Sequence, residues 1–242
     1  MQGWKLFKHA LRMVIGNWRE VLRIFFVPMI LGIVVFFAFL FGVTFLLGEG
    51  VLPVFAFAAI LAYVTVASWC IVSWHRFVLL EERPTKWLPP FDFSAVVFYF
   101  LRGFGLGLIF FVLAMPLLLV VVPSLEAFGA FASIIVAIAV LVGVSVFCMR
   151  LSLVLPAVAV DEPMTMRESF AATKQATLPF AGLVVTYGAL QAGLNMMSEY
   201  FADTENLLGM LATFVGLILF GLINISLLTT FYGHYVEGRA ID

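Results

Sequence analysis

Charge is what this chain has least of: Lys, Arg, Asp and Glu together supply 11% of its 242 residues, against about a quarter in an ordinary soluble domain. Such scarcity excludes a conventional water-facing surface. Positive charge is also missing from one whole side. When the six long apolar runs are threaded back and forth through a bilayer, all 13 Lys and Arg residues fall on a single face. The charges placed opposite, Glu49, Glu126, Glu199, Asp203 and Glu205, are all acidic. A net charge of -1 therefore conceals a polarised molecule, and nucleic acid is not expected as a partner.

Cysteine is nearly absent. Cys70 and Cys148 both fall inside apolar runs near the basic side, where they read as small packing residues rather than a disulfide. The three histidines, His9, His75 and His234, all fall at the rim of the basic side with no ligand-spaced Cys or carboxylate set beside them, so neither metal nor haem is expected. No Ser, His and Asp constellation has an acidic partner at matching depth, and the chain is expected not to be an enzyme. The first twenty residues lack the apolar segment and small-residue cleavage site of a signal peptide. Ionisable groups are missing from the middle of the apolar runs as well. Arg102 comes nearest, and it reads as an interface residue snorkelling to water or pairing with an acidic loop residue.

What is present is hydrocarbon. Apolar residues make up 64% of the chain, and the mean hydropathy is +1.16. With roughly 20 residues per crossing, the pattern predicts six transmembrane helices at approximately 22–47, 52–75, 103–122, 129–149, 179–200 and 208–233. The expected fold is an all-α integral membrane protein, one polytopic domain over residues 1–242 that leaves no room for a soluble domain. Retention of Lys and Arg on the cytoplasmic face places both termini inside, in a bacterial cytoplasmic membrane.

Residues 1–20 form an amphipathic interfacial helix. Trp4, Phe7, Leu11, Val14 and Trp18 repeat at helical spacing, with Lys5, Lys8, Arg12 and Arg19 one residue behind. The apolar stripe has two destinations, the membrane interface or the protein's own spans. The outer turns are short, holding Gly48, Gly50, Pro53, Pro123 and the acidic stretch from Glu199 to Glu205, whereas the inner connections are long. An interfacial helix, an outgoing span, a tight turn and a returning span describe each third of the chain, which suggests three repeated units. The second unit opens around residues 91–100 and bends at Arg102-Gly103. The third opens with Thr165-Met166-Arg167-Glu168, a capping box.

The inner-side phrases Trp74-His75-Arg76-Phe77-Val78-Leu79-Leu80 and Arg150-Leu151-Ser152-Leu153-Val154-Leu155-Pro156 carry a family resemblance. The latter is followed by Asp161-Glu162-Pro163 and Arg167-Glu168-Ser169-Phe170. Together they resemble bacterial six-span proteins related to the membrane domain of glycerophosphoryl diester phosphodiesterases. That resemblance implies an all-helical membrane module; the barrel that carries the phosphodiesterase chemistry has no counterpart in this sequence.

Two residue sets stand out as candidate sites. Arg76, Arg150 and His234 occupy equivalent ends of the three returning spans, where a pseudo-threefold bundle would gather them around a lipid headgroup or another anion. Alternatively they are ordinary topology signals, paired with Glu81, Glu82, Asp161, Glu162 and Glu237. Gln191 and Asn195 on the fifth span and Asn224 on the sixth are amides inside the membrane, with Gln191 about 18 Å and Asn224 about 14 Å deep. They could meet in an interhelical hydrogen bond or line a polar site. Gly188, Ala189, Ala192 and Gly193 favour close packing. The expected role is a structural, scaffolding or accessory component that engages membrane lipids or another membrane protein. The alternative is a lipid or small-molecule transporter with a polar site between the spans.

Overall fold

A computed structural model describes residues 2–47, 52–83 and 87–241. The first outer turn, with Gly48, Glu49 and Gly50, lies outside them, as do the side chains of Pro53, Pro123 and Glu126. Among the described residues there is helix and turn but no strand. The helices are α1 (Gln2–Gly16), α2 (Trp18–Val21), a π-helical turn (Leu22–Phe26), α3 (Val27–Leu47), α4 (Leu52–Leu80), α5 (Phe93–Leu151), α6 (Val154–Ala159), α7 (Met166–Ala172), α8 (Thr177–Asp203) and α9 (Leu207–Tyr235). Segments this apolar become helices because a chain in hydrocarbon must satisfy its amides and carbonyls within itself. Six stretches are long and apolar enough to cross a membrane: Trp18–Gly42, Val54–Leu80, Phe93–Pro116, Gly129–Ala159, Thr177–Asp203 and Leu207–Tyr235. The chain is an all-α, multi-pass membrane protein.

Several boundaries differ from the sequence reading: the amphipathic helix ends at Gly16 rather than at residue 20, and the third and fourth spans are joined differently. No separate helix opens the third span: α5 starts at Phe93, where Asp92 Oδ1 accepts the Ala95 amide at 3.1 Å, and helical geometry runs unbroken through Arg102 and Gly103. No side chain crowds the helix there, since a Cβ at Gly105 or Gly107 would meet nothing within 4 Å. Helical geometry also persists past Pro123. The one non-helical residue within α5 is Gly129, at φ 78° and ψ 162°, a conformation that glycine adopts without a Cβ penalty.

The described chain forms two compact units. One comprises residues 14–103 and 155–163. Its core is Val72 on α4, Ala95, Val96 and Tyr99 on α5, and Val158 and Ala159 on α6. Trp74 is buried between Phe25 and Phe77, with ring centroids at 5.8 and 5.5 Å. The Trp69 indole donates to the Pro90 carbonyl at 2.9 Å, which ties the loop after α4 back onto that helix.

The other unit comprises residues 1–13, 104–154 and 164–242. Its centre is the antiparallel pair α8 and α9, zipped by Phe180 on Phe231 (4.6 Å) and Tyr187 on Phe220 (4.5 Å). At the turn, Asn206 Oδ1 caps α9 by accepting the Gly209 amide at 3.0 Å. A side chain at Gly209 would collide with the Phe201 ring, so the tight return requires glycine. Within this unit the face of α1 that packs on the protein is offset from the stripe read in the sequence. Leu6, Phe7 and Ala10 are buried, Phe7 meets Tyr187 edge-on, and the Gly3 Cβ position lies 2.8 Å from the Pro179 carbonyl oxygen. Trp4 remains 56% exposed, stacked on Phe7, so the same helix keeps an aromatic residue available to the membrane interface.

Candidate functional site

Arg76 lies near the end of α4, where its guanidinium is engaged on all three nitrogens. Nε and Nη2 donate to the two carboxylate oxygens of Glu82 (2.8 and 2.9 Å), and Nη1 donates to Asp161 Oδ2 (2.7 Å) and to the Ala159 carbonyl (3.2 Å). Asp161 itself sits at φ 61°, just past α6, where its amide and that of Glu162 reach back to Val158 and Ala157. Arg76 thus clamps the ends of α4 and α6 together, and two acidic residues named from the sequence, Glu82 and Asp161, are its partners.

Arg150, at the end of α5, is held differently. Its Nη2 donates to the Phe170 carbonyl at 2.8 Å, its Nε reaches Thr173 Oγ1 at 3.4 Å, and its Cζ lies 3.5 Å from the Phe170 ring centroid. In return, Ser169 Oγ donates to the Arg150 carbonyl at 2.7 Å. All these partners stand on or just after α7, whose start is fixed by the expected capping box: Thr165 Oγ1 accepts the Glu168 amide at 3.2 Å, and Glu168 Oε2 accepts the Thr165 amide at 2.7 Å. The bonds from Thr165 hold the Glu168 carboxyl below its usual range. Carbonyls, hydroxyls and a ring surround Arg150, but among the described residues no carboxylate pairs with it. Its Nη1 makes no hydrogen bond among the described residues, and the residue is only partly buried.

His234, in the last turn of α9, donates from Nδ1 to the Arg239 carbonyl at 2.9 Å and packs against Tyr235. Glu237, another acidic residue named from the sequence, pairs with Arg239. The proposed ring therefore divides between the units, with Arg76 in one and Arg150 and His234 in the other.

His75 departs from its expected place at the rim. It is fully buried, with Nε2 hydrogen-bonded to Tyr99 Oη at 3.3 Å. The reason is rotational: α4 continues to Leu80, and one helical step of about 100° turns His75 inward while Arg76 faces outward. Tyr99 was invisible as its partner because nothing local links positions 24 residues apart.

The amides do not meet across the hairpin. Gln191 Nε2 donates to Asn195 Oδ1 at 2.9 Å within α8. Phe180 opposite Phe231 and Leu194 opposite Gly216 fix a register that sets Asn224 level with Thr186, about 7 Å along the axis from Gln191. Asn195 and Asn224 are exposed, and Asn224 makes no hydrogen bond among the described residues. Gly188, Ala189, Ala192 and Gly193 are exposed too, and nothing lies within 4 Å of a Cβ placed on either glycine. The small residues expected to pack this hairpin instead leave part of α8 uncovered.

Two recesses lie in the unit that contains α3 and α4. An apolar groove of 890 Å³ runs between these helices past Gly32, Phe36, Ala59 and Tyr63 to Trp69. A smaller recess of 380 Å³ is lined by Ser73, Arg76, Glu82 and Asp92. Among the described residues no three His, Cys, Asp or Glu side chains gather where they could hold a metal ion. Compared with protein-family models, curated proteins and solved structures, the chain finds no match.

Proposed function

We propose that this chain is a non-enzymatic component of a bacterial cytoplasmic membrane, with both termini in the cytoplasm, that scaffolds or assists another membrane protein and engages lipid through its basic side. The exposed amides of α8 and α9 carry this reading. Asn195 and Asn224 stand exposed on membrane-spanning helices, where lipid offers their N–H and C=O groups no partner. A helix from another membrane protein could supply one, at about 0.6 to 2 kcal/mol per hydrogen bond. Gly188, Ala192 and Gly193 would let its backbone come close. Burial within the spans is also slight, between 11 and 22% of the most apolar stretch of each, so most of their surface is left for lipid or a partner. On this reading the chain resembles phosphodiesterase membrane modules in lacking chemistry of its own.

A photo-crosslinking residue placed at Ala192 or Asn224 in the native membrane tests the proposal. The expected outcome is a specific protein adduct that disappears when Gln191, Asn195 and Asn224 are all replaced by Leu. Adducts with lipid alone, together with a solute flux lost in well-folded Ala variants of the same residues, would favour the transporter instead.

A further inference from the structure

We propose that Arg150 is the anchor of a phosphate-binding site on the basic side, completed by Arg167 and Lys174 at the two ends of α7. A guanidinium stays ionised under all ordinary conditions. The charge on Arg76 is answered by two carboxylates, whereas that on Arg150 is met only by dipoles and a ring face. Those contacts orient the group without neutralising it. The Phe170 carbonyl and ring fix the guanidinium plane, and Nη1 keeps its N–H groups without an acceptor among the described residues, so it can donate to an added oxyanion.

The surroundings add to the same imbalance. Arg167 stands three residues before Phe170, on the same face of α7, and Lys174 directly follows Thr173. Both are exposed, and among the described residues neither has an ion pair. The acidic residue of α7, Glu168, is occupied by the capping box. Three positive charges thus meet one committed carboxylate at the end of a membrane span. Phosphate suits them in charge and in its several acceptor oxygens, and its source is either a phospholipid headgroup or a free phosphate.

This inference rests on the lipid-engaging part of the proposed function, and its test is separate from the crosslinking at α8. The full chain in a mild non-ionic detergent is titrated with phosphatidylglycerol, and bound lipid is counted by native mass spectrometry. Each lost cation is expected to weaken binding about fivefold, so Arg150→Gln loses about fivefold and the Arg167→Gln/Lys174→Gln double variant about 25-fold. Competition by inorganic phosphate at millimolar concentration identifies free phosphate as a ligand; failure to compete assigns the site to the lipid headgroup. Unchanged binding of phosphatidylglycerol by the double variant overturns the site even if Arg150→Gln does not fold, because neither Arg167 nor Lys174 holds α7 in place. A missing crosslink with weakened lipid binding removes the partner proposal and leaves this site standing; a crosslink with unchanged lipid binding does the reverse.

Discussion

Arg76 and Arg150 end consecutive returning spans and look alike in sequence, one after Trp-His and the other after Cys-Met. Their surroundings divide them. Arg76 is a clamp whose guanidinium is used up by Glu82, Asp161 and a carbonyl, with its side chain 21% exposed. Arg150 is a brace that holds α7 through carbonyl, hydroxyl and ring contacts and retains its charge. The same residue type at the same kind of helix end thus serves two purposes. An arginine already committed to carboxylates stabilises the protein and has little left for an outside anion, whereas one held by dipoles can do both.

The comparison is broken most severely at Arg76. Replacement by Gln is expected to cost about 2 kcal/mol, between the values for exposed and buried ion pairs, because Arg76 is mostly covered while Glu82 and Asp161 are not. Thermal unfolding in detergent measures this. In double-mutant cycles Arg76 should couple more strongly to Glu82, which accepts two bonds, than to Asp161, which accepts one. Equal stability of Arg76→Gln and wild type would end the distinction between clamp and brace.

Arg150→Gln is expected to cost less, about 1 kcal/mol, through the lost carbonyl bond and ring contact. Hydrogen exchange should localise that loss to α7 while leaving the α4 and α6 ends protected. The smallest effect sharpens the same contrast: Thr165→Ala removes the cap of α7 and should cost about 0.5 kcal/mol, the low end for an N-cap. Acid should act on the same contact. Because the folded Glu168 carboxyl titrates below its unfolded value, its contribution is complete above the ordinary carboxylate range and is lost as pH falls through the folded value. Protection of the first amides of α7, corrected for the intrinsic exchange rate at each pH, should therefore fall on acidification in wild type, and much less in Thr165→Ala.

Some of this architecture is readable from the sequence because its causes are local. Apolar run length fixes six helices, and the spacing Thr165 to Glu168 fixes the start of α7, since a capping box closes within three residues. The acidic residues Glu82 and Asp161 are recognisable as partners of Arg76 from their places beside helix ends, whereas Glu237 pairs with Arg239 rather than with Arg76, Arg150 or His234. Gln191, Asn195 and Asn224 are likewise legible as amides within spans. Whether they bond to one another is not, because that depends on hairpin register, and the packing of α8 on α9 sets Asn224 several residues away from the level of Gln191. The burial of His75 escaped for a related reason: hydropathy gives the length of a helix but not its rotation about its own axis.

By itself the sequence determined that this is a helical membrane protein, and where the short helix α7 begins. Each of these follows from interactions among residues a few positions apart. Glu82 lies only six positions from Arg76, but tertiary structure decided the rest, since the pairing of Arg76 with Asp161 spans 85 positions and the bracing of Arg150 by Phe170 spans 20. Over such separations a charge's partner is chosen by how helices pack, and a difference in partners turns one arginine into a clamp and leaves the other charged.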